Sequence, residues 1–289
     1  MTKYVVMKEF GKIIFRIRGD PGMPKMPHSP DEMPVVPCTF RLPFRSQPSL
    51  SGRVRRARAR TTGLPRAMDV AQTLPMRLFI KGENGARGDC PFSQFVLLLL
   101  EEMGVPYAPT FEDFDHKSEE LLRANPSGEV PVLITPEGPV PDSARIADWL
   151  SSTFPEASLP TQVPESCATA ASAVFPAFVK YLKGSGQAGR EEFEAALASL
   201  ESHLQETPGH FLAGEAICRA DLQLIPKLYH ATVALQAFKG WELERSRFPS
   251  VSLFMDVMMK RPSWECTKPP TEGHVVRGWA SHVAASTQL

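Results

Sequence analysis

The sequence predicts an α/β unit followed by an all-α domain, and three observations carry that prediction. From Met76 to Phe154, short runs rich in β-branched and aromatic residues, bounded by Gly, Pro, Asn and Asp, alternate with helical stretches in the order β-α-β-α-β-β-α. Beyond a proline-bearing linker, apolar residues recur at helical spacing over residues 168–182, 191–206, 220–238 and 251–259, with no strand pattern between them. Before Met76 no period of either kind is sustained, and prolines interrupt the chain. The expected organisation is a disordered leader at 1–75, an α/β domain at 76–155 and a helical domain at 165–285.

Each element of the α/β unit has a local reason. Leu78, Phe79 and Ile80 centre a strand at 77–81, and Gly82, Gly85 and Gly88 form the loop after it. That loop delivers the chain to Asp89-Cys90-Pro91-Phe92-Ser93-Gln94, from which an apolar run, Phe95 to Leu100, leads to Glu101 and Glu102. Gly104 is the C-cap signal of that helix and Pro106 reinforces it. Residues 107–114 suit a second strand, and Ser118 caps a short helix through Ala124 with Glu119 and Glu120 in its first turn. Asn125-Pro126-Ser127-Gly128 reads as a turn, and Val130 to Ile134 as a strand interrupted by Pro131. A cis bond before Pro131 would turn the Val130 amide and carbonyl outward, able to pair with an extended peptide. Pro136-Glu137-Gly138 turns a hairpin, Val140 begins its return strand, and Asp142-Ser143 opens a helix through Phe154. In the helical domain Cys218 stands at the N-cap of a capping box whose N3 residue is Asp221. A thiol there should cap less well than Ser, by about 1 kcal/mol.

Cys90 is the candidate nucleophile. Pro91 suits the first helical position because its φ is already helical and its missing N–H has no intrahelical partner there. Cys90 is thereby placed where orphan N–H groups and the positive end of the helix dipole favour a thiolate, so its pKa is expected to fall below the free value of about 8.5. A lone Cys before an apolar helix is otherwise a small buried hydrophobe. Ser93 separates the two readings: the C-x-x-S spacing puts a hydroxyl where a dithiol motif carries its second sulfur. No internal disulfide can close across that loop, so a sulfur chemistry run from Cys90 needs an external thiol.

Composition bounds the partners. The chain has 289 residues, is 43% hydrophobic and is formally neutral. That neutrality averages fourteen Lys and Arg against four Asp and Glu up to Met68 with eighteen against twenty-eight beyond it. The acidic body argues against a nucleic-acid partner. No apolar stretch approaches the roughly 18 residues of a membrane span, so stable membrane insertion is not expected. Five cysteines, odd in number and scattered, have no His at metal spacing; they read as reduced thiols, with no metal site. Between Met33 and Met68 no acid occurs, while Arg53, Arg55, Arg56, Arg58 and Arg60 sit among Ser, Thr, Ala and Gly. That composition is the signature of an organellar transit peptide, with cleavage expected between Arg66 and Met76. A disordered basic linker is the other reading.

A thioredoxin-like unit with a Cys at a helix N-terminus, a Val-Pro strand, an acid-Ser pair and an all-helical second domain resembles the glutathione transferase superfamily. Within it, Gly88-Asp89-Cys90-Pro91-Phe92-Ser93-Gln94, Pro141-Asp142-Ser143 and the segment Asp221 to His230 look like the glutathione-dependent dehydroascorbate reductases of plants and algae, over about residues 76–280. The resemblance implies the glutathione transferase fold and an enzyme that binds glutathione and dehydroascorbate, with no bound cofactor and glutathione as co-substrate. Cys90 would be the nucleophile, with Asp89 helping to place both substrates. Lys81 and Lys117 would face the glutathione carboxylates, Val130 would pair its backbone with the cysteinyl unit, and Asp142 and Ser143 would hold the γ-glutamyl end. His230 and Trp279 match as well and are assigned to the core. A monomer is expected, and the chloroplast is the implied location, with mitochondrion or cytosol as alternatives. An omega-like glutathione thiol transferase shares the Cys-Pro-Phe-Ser segment, as does a non-catalytic protein similar to the chloride intracellular channels.

Overall fold

The structure, a computed structural model, describes residues 4–9, 12–17, 76–83, 85–160, 164–184 and 186–284. Strands β1 (Tyr4–Glu9) and β2 (Lys12–Ile17) pair antiparallel, with Glu9 opposite Lys12. This corrects the expectation that the leader has no strand period: each half is a short run of β-branched and aromatic residues with Lys interspersed. The remaining leader, including the Arg-rich stretch and its expected cleavage segment, lies outside the described residues.

The second compact unit holds the α/β and helical domains. Its sheet has five strands: β3 (Met76–Glu83), β4 (Ala86–Arg87), β5 (Tyr107–Asp113), β6 (Val132–Thr135) and β7 (Gly138–Pro141). Strand β5 runs parallel to β3, while β4 and β6 pair antiparallel with opposite ends of its other edge, and β7 completes the hairpin from β6. Three helices alternate with these strands: α1 (Pro91–Met103), α2 (Glu119–Ala124) and α3 (Ser143–Thr153). The β-α-β-α-β-β-α order is as expected, with boundaries moved. Strand β3 absorbs Gly82, because an extended partner lies alongside through Asp113. Pro131 excludes Val130 from β6, and the two-residue turn Pro136-Glu137 starts β7 at Gly138.

The helical domain comprises α4 (Glu165–Lys183), α5 (Gln187–Glu206), α6 (Arg219–Lys239), α7 (Pro249–Met259), α8 (Pro262–Thr267) and α9 (Glu272–Ala284). The first four were legible as helical periods; α8 and α9 were not. Helix α1 joins the two domains: Phe95 to Leu100 are all at most 2% exposed, and the helix packs on α3, α6 and α8. Each of those six residues, transferred out of water, contributes about 1.5–3 kcal/mol, so this helix is the central element of the core. Among the described residues no helix is long and apolar enough to cross a membrane. Cys90, Cys167 and Cys218 are free thiols. Cys266 is disulfide-bonded, which overturns the reading of all five as reduced; scattered spacing carries no pairing information.

Candidate active site

Cys90 is the N-cap of α1 and Pro91 its first helical residue, as expected. The Cys90 Sγ accepts a hydrogen bond from the Ser93 amide at 3.4 Å, and its carbonyl accepts the first helical bond from Gln94. The thiol is half-buried. Here the expectation of a lowered pKa is corrected. Burial pushes the thiol up, and the Ser93 hydroxyl together with the Ser93 and Phe92 amides only partly offsets it, while the Asp89 charge pushes it up further. The helix terminus acts as anticipated but is outweighed by desolvation.

Asp89 is 8% exposed and is ion-paired with Lys81, Oδ1 to Nζ at 2.6 Å. The carboxylate is pressed against α9: a Cβ on Gly278 would lie 1.6 Å from Asp89 Oδ2. Only glycine leaves that space. The Lys81 ammonium also lies 5.6 Å from the centroid of the half-exposed Phe114 ring, and Lys117 Nζ lies 4.8 Å from the same ring. Gly128, at φ +66°, makes room for Lys117, since a Cβ there would meet its Cδ at 2.8 Å. The two lysines expected to face glutathione carboxylates thus converge on one aromatic ring.

On the sheet side, the Val130-Pro131 peptide is cis. The Val130 N–H and C=O take part in no turn or loop hydrogen bond among the described residues. Asp142 rather than Ser143 caps α3: its Oδ1 accepts from the Ala144 and Arg145 amides at 2.8 and 3.1 Å. Ser143 is the first helical residue and is buried. Asp142 has φ 74°, unusual for a residue with a Cβ and costing about 1–3 kcal/mol, a strain of the kind that gathers at ligand clamps. Asp142 and Ser143 therefore sit together at a helix N-terminus, where an anionic group is stabilised.

The helical domain closes the other side of Cys90 with residues that sequence reasoning left in the core or did not single out. Phe92, the second residue of α1, is 41% exposed and packs edge-on against Phe175 of α4 at 5.6 Å. Phe175 in turn touches Trp279 of α9 at 6.2 Å. Trp279 Nε1 donates to His230 Nδ1 at 3.1 Å, both rings being buried. Burial, with a smaller contribution from the Lys81 charge, takes the His230 pKa down to about 3. His230 is therefore a neutral core imidazole. An aromatic at helical spacing has the same signature whether it fills a core or lines a cleft, which is why this wall was not legible locally. Among the described residues no cluster of His, Cys, Asp and Glu suits a metal ion.

Three comparisons place this geometry among known proteins. Residues 89–153 match the model of the glutathione S-transferase N-terminal domain. Glutathione S-transferase DHAR2 of Arabidopsis thaliana is 42% identical over 210 residues, 71% of this chain and 95% of that protein. Glutathione S-transferase DHAR3, chloroplastic, of the same plant is 38% identical over 68% of this chain and 75% of that protein. Among solved structures, Chlamydomonas reinhardtii dehydroascorbate reductase superposes with a TM-score of 0.65 at 33% identity, covering 73% of this chain and all of that one, 100%. The chain belongs to the glutathione S-transferase superfamily, in its dehydroascorbate reductase group.

Proposed function

We propose that this protein reduces dehydroascorbate to ascorbate at the expense of glutathione, with Cys90 as the nucleophile. The observation that carries the reading is the position of Cys90 at the N-cap of α1, its sulfur held by the Ser93 amide and a hydroxyl where a second thiol would stand. The Cys90 thiolate adds to a carbonyl carbon of dehydroascorbate, and the alkoxide so formed takes up a proton from solvent. Water then bonds to the sulfur as the carbon–sulfur bond breaks; its electron pair stays with the sugar as ascorbate, and one proton is released. Cys90 is left as a sulfenic acid. Glutathione condenses with it, releasing water and forming a mixed disulfide, and a second glutathione attacks that disulfide to release glutathione disulfide and regenerate the thiol.

In this reading glutathione lies along the sheet end of α1. The Val130 backbone pairs with the cysteinyl unit, Asp142 and Ser143 hold the γ-glutamyl end with its carboxylate at Ser143 and the α3 amides, and Lys81 and Lys117 face the remaining carboxylate. Asp89, fixed between Lys81 and Gly278, positions the incoming substrate beside the sulfur. Ascorbate formation from dehydroascorbate and glutathione, followed with the full chain and with Cys90→Ser, tests the proposal. Turnover is expected to vanish in the variant while its melting temperature is kept; a variant that retains turnover overturns it.

A further inference from the structure

The mechanism above uses no residue of α6, yet α6 places a cation beside Phe92, two residues from Cys90. Lys227 Nζ lies 5.8 Å from the ring centroid of Phe92 and 5.6 Å from that of Phe175. Phe92 follows Cys90 by two residues and is half-exposed, so the ammonium lies beside the first turn of the helix that Cys90 caps. The side chain itself is half-buried. Lys227 enters no ion pair or hydrogen bond with any described residue, unlike Lys81, whose ammonium is held by Asp89. Burial between the two rings lowers the Lys227 pKa, the expected result for an ammonium stripped of water with no counter-ion. Two ring faces offset only part of that lost hydration. An anion in the cleft would supply the rest, in a low-dielectric setting where a charge-assisted bond is strong.

We propose that Lys227 contacts the substrate, its ammonium donating a hydrogen bond to the enolate oxygen that develops as ascorbate leaves Cys90. The inference rests on the dehydroascorbate reductase reading of the site. When the carbon–sulfur bond of the Cys90 adduct breaks, its electron pair forms the ring double bond and the neighbouring carbonyl oxygen becomes an enolate; the water that bonds to sulfur gives up one proton to solvent. Negative charge thus appears on a sugar oxygen that was neutral in the ground state. A donor aimed at that oxygen acts in the transition state more than on the bound substrate. A neutral disulfide, whose reduction by Cys90 places the developing charge on a sulfur, a weak hydrogen-bond acceptor, rather than on a sugar oxygen, makes a smaller demand on such a donor.

The test uses the full chain with Lys227→Met, which keeps the apolar stem between Phe92 and Phe175, Lys227→Gln as a second neutral variant, and Lys227→Arg. For each, kcat/KM is measured with dehydroascorbate and with 2-hydroxyethyl disulfide, together with inhibition by added ascorbate and the melting temperature. The expected result is a fall of about 10- to 100-fold with dehydroascorbate in both neutral variants, the loss that accompanies one charge-assisted hydrogen bond. The fall with the disulfide should be at least ten times smaller than that, ascorbate inhibition should weaken, and Arg should restore part of the rate. Neutral variants that match the wild type on dehydroascorbate, or that lose both substrates in equal measure, overturn the assignment. A wild-type chain that reduces the disulfide but never dehydroascorbate removes the reading of function, and this inference with it; an active wild type with unaffected variants removes the inference alone.

Discussion

At Cys90 two opposing influences act on one sulfur, and their balance is decided by what surrounds it. The N-cap position supplies the Ser93 and Phe92 amides and favours the thiolate, but burial and the adjacent Asp89 carboxylate favour the thiol more strongly. Cys90 is therefore held mainly as the thiol at neutral pH, and its reactivity should climb with pH past the ordinary thiol range. Asp89→Asn removes a negative charge beside the sulfur and releases the Lys81 ammonium that now pairs with it. Both changes favour the thiolate, so the midpoint of the iodoacetamide alkylation rate against pH should move down in the variant; a midpoint that stays or rises would show that Asp89 does not act on the sulfur. The same variant should lose reductase activity if Asp89 positions substrate. Identity and placement of Cys90, Pro91 and Ser93 were legible because N-cap chemistry is local. The direction of the Cys90 shift was not, because desolvation comes from residues far away in the chain.

Among the elements, caps written in neighbouring residues were read correctly. Ser118 caps α2, with its Oγ accepting from the Leu121 amide at 3.0 Å, and Gly104 closes α1 in the left-handed conformation. Caps supplied from elsewhere were invisible. Helix α7 begins at Pro249 with no side-chain cap of its own, and its Ser250 and Val251 amides donate instead to Glu201 of α5 at 2.9 and 2.8 Å. Glu201 is 6% exposed, so its carboxylate is a buried charge held by two helix-terminal amides and the Gln205 side chain. Glu201→Ala leaves those amides without an acceptor and should cost about 2–3 kcal/mol. Urea unfolding should show a lower midpoint at unchanged slope; a midpoint within about 0.5 kcal/mol of wild type would show that water replaces the carboxylate without loss. In the same way, Glu102 of α1 accepts from Arg261 Nε and Nη2 at 2.8 and 2.7 Å and from the Ser263 hydroxyl, which ties α8 to the central helix although α8 itself has no readable period.

Across the whole molecule, the helical domain completes the site as well as covering the core. Helix α9 reaches back to the α/β domain through Arg277, which pairs with Glu83 at 3.0 and 3.2 Å, and through Gly278, which abuts Asp89. Replacing a helical glycine by alanine normally stabilises by up to about 1 kcal/mol. At Gly278 the added methyl would occupy the position of Asp89 Oδ2, so Gly278→Ala should displace Asp89 and lower kcat/KM for dehydroascorbate by about 10-fold or more. Gly273→Ala on the same helix meets nothing closer than 3.4 Å and should leave the rate within about twofold of wild type. Equal rates in the two variants would show that the contact with α9 does not hold Asp89 in place. By itself the sequence determined the order of strands and helices, the cysteine at a helix N-terminus and the pair Asp142-Ser143, since hydrophobic period, proline and capping chemistry act over a few residues. Only the tertiary structure decided that Asp142 caps α3, that Lys81 is held by Asp89, that the thiol is pushed up rather than down, that Lys227 lies beside Phe92 and that Gly278 abuts Asp89. Those outcomes depend on burial and on contacts between residues up to about two hundred positions apart, which no local pattern encodes.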